Sequence, residues 1–345
     1  MKRTGIVGMG LLAAFAAGLF FFGGKIHAAG PAGSGYKIAG SIPVAGEGGW
    51  DYLIVDEAAR RLYVSHSTHV VVFDADSHDV VGDIPDTQGV HGIALAPDLG
   101  RGFTSNGRAN NVTIFDLKTY KTLGIVSAGT NPDAILYEPT TKRVFAFNGR
   151  SKDATVIDGA TGKVLGTFPV GGKPEFAAAD GKGSVYVNVE DTGEILHVDA
   201  QRMNVLHRWP IAPCKEPSGL AMDTKSRRLF AVCDNVMAVV DADSGKVVAT
   251  PKIGEGPDAA AFDPGTNYVF SSNGESGTLT VIHEDGPDNY SVVDNVPTKK
   301  GARTMALDLK THTLYLPSAE MIPPGPGQKW PSVKPGTLNL LIVSK

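Results

Sequence analysis

Ala154-Thr-Val-Ile-Asp158-Gly-Ala-Thr-Gly-Lys-Val-Leu-Gly-Thr-Phe-Pro-Val170 decides the fold. It reads as an apolar strand, an Asp at the turn, and a second apolar strand. The pattern recurs at Val-Val-Val-Phe-Asp74, Val-Thr-Ile-Phe-Asp116, Ile-Leu-His-Val-Asp199, Ala-Val-Val-Asp241 and Leu-Thr-Val-Ile-His283. From Asp74 to His283 the spacings are 42, 42, 41, 42 and 42 residues. A second marker, an aromatic or apolar triplet, runs in phase: Leu62-Tyr63-Val64, Phe103, Phe145, Val185-Tyr186-Val187, Leu229-Phe230-Ala231, Phe270 and Leu314-Tyr315-Leu316. A period near 42 residues with four short strands per copy is the signature of a propeller. The expectation is an all-β, seven-bladed β-propeller of four-stranded antiparallel blades over residues 36–343, as one domain.

The chain ends support closure. Tyr36-Lys-Ile-Ala-Gly-Ser-Ile-Pro-Val44 matches the fourth-strand segment Gly162 to Val170, whereas Leu338 to Val343 matches a third strand and then stops. The N-terminal strand is therefore expected to complete the last blade and remove an open sheet edge. Composition agrees. Gly and Pro number 42 and 22 of 345 residues, about 19% against an ordinary ~12%. That excess suits many tight turns, and charged residues at 20% exclude a coiled coil or charged tail.

The copies resemble the YVTN-type β-propeller repeat family, which includes the YncE-like periplasmic proteins. The carriers are Phe103-Thr-Ser-Asn106, Phe270-Ser-Ser-Asn273, the Asp-x-x-Thr/Ser-Gly-Lys-Val turns at Asp158 and Asp241, and Gly129-Thr-Asn-Pro-Asp133. The resemblance spans residues 36–343 and is specific for fold. It implies function only loosely, because relatives serve as binding proteins, surface-layer modules and domains of redox enzymes.

Lys2 and Arg3 precede an apolar run from Ile6 to Phe22, and Ile26-His-Ala-Ala29 follows. This reads as a signal peptide over residues 1–28, with an uncleaved anchor as the other reading. The expected location is periplasmic or secreted. Its removal leaves 29 basic against 36 acidic residues, a net charge of −7. No basic cluster suggests nucleic acid. The expected partner is a small ligand, a peptide or an exported protein, and the expected state a monomer.

The repeat makes equivalent positions countable. Asp51, His91, Asp133, Glu175, Ser218, Asp258 and Arg303 precede the first strands of successive copies, 40 to 45 residues apart. In a propeller they encircle one end of the channel. The second strands end at His66, Asn106, Asn148, Val189, Cys233, Asn273 and Ser318, on the same face. Carboxylates, amides and a His converging there suit a divalent cation or a cationic ligand. They equally suit turn capping and a solvated channel end. Trp50 is either a ligand platform or blade packing. The long segment between Ser318 and Thr337, with Trp330, is either a mouth cover or a tolerated insertion. Cys214 and Cys233 fall on the same face of one blade, so a disulfide is expected, with free thiols as the alternative.

Phosphate loops, Gly-x-Ser-x-Gly, His-Glu-x-x-His and Cys-x-x-Cys-His are absent from the sequence, and no cofactor is expected. The primary expectation is a non-enzymatic binding or scaffold propeller. The alternative is a divalent-metal-dependent hydrolase of the lactonase kind, drawing ligands from Asp51, Asp133, Glu175, Asp258, Asn148 and Asn273, with His91 as base. A quinone-dependent oxidoreductase is a weaker third reading.

Overall fold

The structure, a computed structural model, describes residues 33–325 and 331–345. The expected signal peptide and Trp330 lie outside the described residues. Residues 33–345 form one compact unit.

Among the described residues seven four-stranded antiparallel sheets follow one another along the chain. Blade 1 runs Trp50–Asp56, Arg61–His66, His69–Asp74 and Val80–Ile84. Blades 2 to 6 repeat this order, with first strands at Val90–Ala96, Pro132–Glu138, Pro174–Ala179, Leu220–Asp223 and Pro257–Asp263. Blade 7 is built from Ala306–Asp308, Thr313–Ser318, Asn339–Ser344 and the N-terminal strand Lys37–Pro43. The N-terminal strand pairs antiparallel with the last one, from Lys37 opposite Ser344 to Pro43 opposite Asn339. The first strands touch their neighbours in a closed ring, blade 7 returning to blade 1. The seven-bladed propeller read from the sequence is the observed fold, including its closure.

The core is seven apolar clusters, one at each junction of two blades. The junction of blades 7 and 1 joins Ile42, Trp50, Leu62, Phe73, Tyr315 and Leu340. That of blades 3 and 4 joins Phe145, Phe147, Phe168, Val187 and Leu196. The phased aromatics Tyr63, Phe103, Phe145, Tyr186, Phe230, Phe270 and Tyr315 are all buried. Alternation along each strand sends these side chains between blades, so each blade is held by its neighbours.

The recurrent Asp residues tie the outer turns. Asp158 Oδ1 accepts from the Thr161 N–H at 2.7 Å, and Asp241 Oδ1 from the Ser244 N–H at 2.8 Å. Asp74, Asp116 and Asp199 do the same. A carboxylate receiving backbone N–H groups in this way replaces hydrogen bonds the tight turn cannot make to itself.

Blade closure has a simple test. Ile42 is buried in the junction of blades 7 and 1, whereas Ile38 on the same strand is exposed. Ile42→Ala is expected to cost ~2–5 kcal/mol. Ile38→Ala should stay within about 0.5 kcal/mol. Chemical denaturation of the two variants reads the difference, and equal losses would mean that the N-terminal strand does not seal the ring.

Candidate functional site

The first strand of most blades begins with a β-bulge. Pro132 faces Asn148 and Ile135 faces Ala146, so Asp133 and Ala134 oppose the single residue Phe147. The same offset places Asp51, His91 and Glu175 in bulges, and Asp258 falls at a register shift too. A bulge bends the strand and re-aims a side chain. Here it turns a charged residue of each of these five copies toward the channel instead of along the blade.

Buried hydroxyls fix the bulges to each other. Ser105 receives the Gly92 N–H at 2.8 Å and donates to the Asp133 carbonyl in the next blade. Ser65 accepts the Asp51 N–H at 2.9 Å, and Thr304 donates to the Asp51 carbonyl at 2.7 Å. Across the channel Tyr52 of blade 1 meets Phe176 of blade 4, with ring centroids 4.2 Å apart.

Asp51 is the hub. His91 Nδ1 lies 2.6 Å from its Oδ2, and Arg303 Nη2 lies 3.6 Å from its Oδ1. Arg303 Nε also donates to Asp258 at 2.7 Å, and Ser218 donates to the other oxygen of that carboxylate at 2.5 Å. Asp133 stands 3.7 Å from His91 Nδ1. On the far side Lys173 Nζ binds Glu175 at 2.6 Å and also Glu190. Two cavities meet at the Asp51–Arg303 pair. One, of about 420 Å³, is lined by the carboxylates of Asp51, Asp133, Glu175, Glu190, Glu216, Asp234, Asp258 and Glu275, against the cations Lys173 and Arg303. The other, of about 480 Å³, contains His91, Arg108, Arg150 and Arg303, with Asp51 as its one carboxylate among the described residues.

Burial and crowding disturb the titrations. Burial drives the Glu175 carboxyl up to about 9, helped by the charge of Asp133 and the hydrogen bond to Glu190. Burial also lifts Asp133, to about 6, against the pull of His91. Asp258 rises for the same reason, opposed by Arg303. Burial favours a neutral His91, but the Asp51 hydrogen bond and the Asp133 charge overcome it and hold the ring at about 9. A cation beside carboxylates and a desolvated acid thus share one small volume.

The structure brings Asp51, His91, Asp133, Glu175, Ser218, Asp258 and Arg303 to one mouth. Trp50 is buried, lines the second cavity, and carries the Arg303 guanidinium 5.7 Å from its ring. Asn106, Asn148 and Asn273 lie elsewhere. All three are buried inside their blades. Asn106 Nδ2 donates to Asn111 and Thr113 at 2.8 Å each, and its Oδ1 receives the Thr104 hydroxyl. Asn148 and Asn273 tie the same hairpin. These three asparagines therefore hold turns together rather than lining the mouth. Cys214 and Cys233 form a disulfide, Cα atoms 5.5 Å apart. The long segment of blade 7 carries a short hairpin, Met321–Ile322 with Ser332–Val333, and Val333 packs on the junction of blades 7 and 1. Tyr52, Lys173 and Glu190, and the two arginines beyond the asparagines, complete the mouth. Their signal was available one or two positions from the counted residues: Tyr52 one past Asp51, Glu190 one past Val189, Arg108 and Arg150 two past Asn106 and Asn148, and Lys173 two before Glu175.

No family model and no curated protein matches the chain. Solved structures do. U3-55K aligns over 88% of this chain and 97% of its own, with TM-score 0.73 and 10% identity. The RRP9 WD40 repeats align over 91% and 99%, with TM-score 0.74 and 10% identity. The hydrazine synthase of Kuenenia stuttgartiensis aligns over 79% and 94%, with TM-score 0.70 and 15% identity. At these identities the likeness establishes the propeller fold alone. Among the described residues no helix is long and apolar enough to cross a membrane.

The His91 shift predicts its own titration. The folded value lies above the ordinary 6.5, so its stabilisation is complete below about pH 6.5 and is lost as pH rises through about 9. The His91 ring protons, followed by NMR, should titrate near pH 9 and move toward 6.5 in Asp51→Asn. A midpoint near 6.5 in the native protein would remove the Asp51–His91 ion pair.

Proposed function

We propose that the chain is an exported, non-enzymatic binding propeller of the YVTN type, and that the acidic half of its mouth receives a cationic group. The observation that carries this reading is the lining of the first cavity, eight carboxylates against two cations. Glu175 stays protonated near neutrality because burial, the Asp133 charge and the Glu190 hydrogen bond outweigh Lys173, which it shares with Glu190. An amine entering beside Glu175 and Asp133 adds the positive charge that Lys173 alone does not supply to both carboxyls. Tyr52 lines the same cavity, with its ring packed on Phe176. The chemistry fits a polyamine or the basic side chain of a partner peptide. The repeat resemblance, the apolar N-terminal run and the disulfide support export to an oxidising compartment.

Linkage sets the sign of the test. A bound amine favours the charged carboxylates, so binding releases protons and strengthens as pH rises from about 6 toward 9. Calorimetry with spermidine in buffers of different ionisation heat should read that release. Glu175→Gln should remove most of the pH dependence and weaken binding at pH 9 about tenfold, the worth of one charge-assisted contact. Proton-independent binding, or none, would overturn the reading.

A second reading rests on one observation. Single donor atoms of Asp51, His91 and Asp133 lie within 4.8 Å of one another, close enough to share a divalent cation. Two carboxylate oxygens and an imidazole nitrogen suit such an ion, and a metal there would polarise a lactone carbonyl. Arg303 beside Asp51 and the His91–Asp51 hydrogen bond work against it. Metal analysis of the purified protein, with a lactone panel before and after chelator, separates the two. Bound metal with chelator-sensitive turnover favours the hydrolase, and chelator-resistant amine binding favours the receptor.

A further inference from the structure

The residues just past the second strands divide the rim by charge. In blades 2 and 3 the strands end in Asn106-Gly107-Arg108 and Asn148-Gly149-Arg150, whereas blade 6 has Asn273-Gly274-Glu275 at the same place. Blades 4 and 5 carry Glu190-Asp191 and Asp234-Asn235 there. One repeated turn thus bears arginine over two adjacent blades and carboxylates over the next three.

Arg108 and Arg150 are exposed and line the same cavity of about 480 Å³. Neither has an acceptor among the described residues. Every other arginine there donates to a carboxylate or a carbonyl. Asn131 lies between the two turns. A Cβ at Gly107 would come 2.9 Å from its Oδ1, and one at Gly149 would come 3.4 Å from its Nδ2. The Trp50 indole N–H, in a side chain that lines the cavity, is buried and has no partner. The unpaired guanidiniums and the unengaged amide supply accessible donors, and the buried indole N–H beside them has no acceptor of its own, which is costly.

We propose that this half of the mouth is an anion site for a compact oxyanion carrying two negative charges, a phosphate or a dicarboxylate. Two free guanidiniums match two charges. Their planar forks suit oxygens held in a fixed geometry better than a halide. The site adjoins the acidic half at Asp51 and Arg303 but draws its free donors from different residues, so it does not rest on the amine reading. Its solvent exposure makes the affinity fall as salt screens the arginines.

The test uses the full chain at fixed ionic strength, titrated by calorimetry with inorganic phosphate, malonate or chloride. Saturable one-to-one binding of phosphate or malonate, with none of chloride, is expected, and the tighter probe names the source. Arg108→Gln with Arg150→Gln should weaken it about tenfold or more. Neither side chain holds the fold, so the melting temperature should stay unchanged. Lys121→Gln with Lys163→Gln removes the same charge from the outer turns of the same blades and should leave affinity unchanged. Glu175→Gln should also leave it unchanged, so failure of the amine reading remains distinguishable. Equal losses in the arginine and lysine doubles, no saturable binding, or binding only to a long polyanion such as heparin would overturn the proposal.

Discussion

The pairing of Lys37–Pro43 with Asn339–Ser344 is the constraint on which the rest depends. Four-stranded blades have no stable face alone, since each apolar cluster is shared between two neighbours. Seven such junctions are satisfied together only if the last blade meets the first. The chain achieves this by lending its first strand to its last blade. Closure then fixes where the first strands must go, which is around one channel, and the mouth chemistry follows from that geometry.

Convergence brings charged bulge residues into a space too small to solvate them all. The protein answers with partners where it can: His91 and Arg303 on Asp51, Arg303 and Ser218 on Asp258, Lys173 on Glu175 and Glu190. Glu175 remains protonated near neutrality, and Arg108 and Arg150 remain without acceptors among the described residues. The mouth is therefore polarised across the Asp51–Arg303 pair, its rim turns basic over blades 2 and 3 and acidic over blades 4 to 6. A rigid frame with residual charge of both signs at one end is suited to holding polar ligands in a set orientation.

The frame was legible in the sequence because the repeat is periodic and physical. The Asp turns at 158 and 241, the phased aromatics and the matching ends each reflect a strand that must bury one side. The positions of Asp51, His91, Asp133, Glu175, Asp258 and Arg303 at one mouth follow from counting along that repeat. Asn106, Asn148 and Asn273 share the same face in the count, but spacing does not say which way a side chain turns. Their amides satisfy the Thr and Asn groups of their own hairpins, a local need that competes with the channel. Arg108 and Arg150 escaped the count because they sit two residues beyond it, where the chain leaves the strand. The bulges were equally hidden, since a register shift leaves no fixed mark in the sequence.

A mouth divided by charge should sort ions by sign, which anomalous diffraction from crystals soaked in rubidium selenate can read. Both ions scatter anomalously at separate edges, so one soak reports both halves. Selenium density is expected between Arg108 and Arg150, and rubidium density beside Asp133 and Glu175. Selenium and rubidium found only on the outer strands, or sharing one half of the mouth, would contradict it.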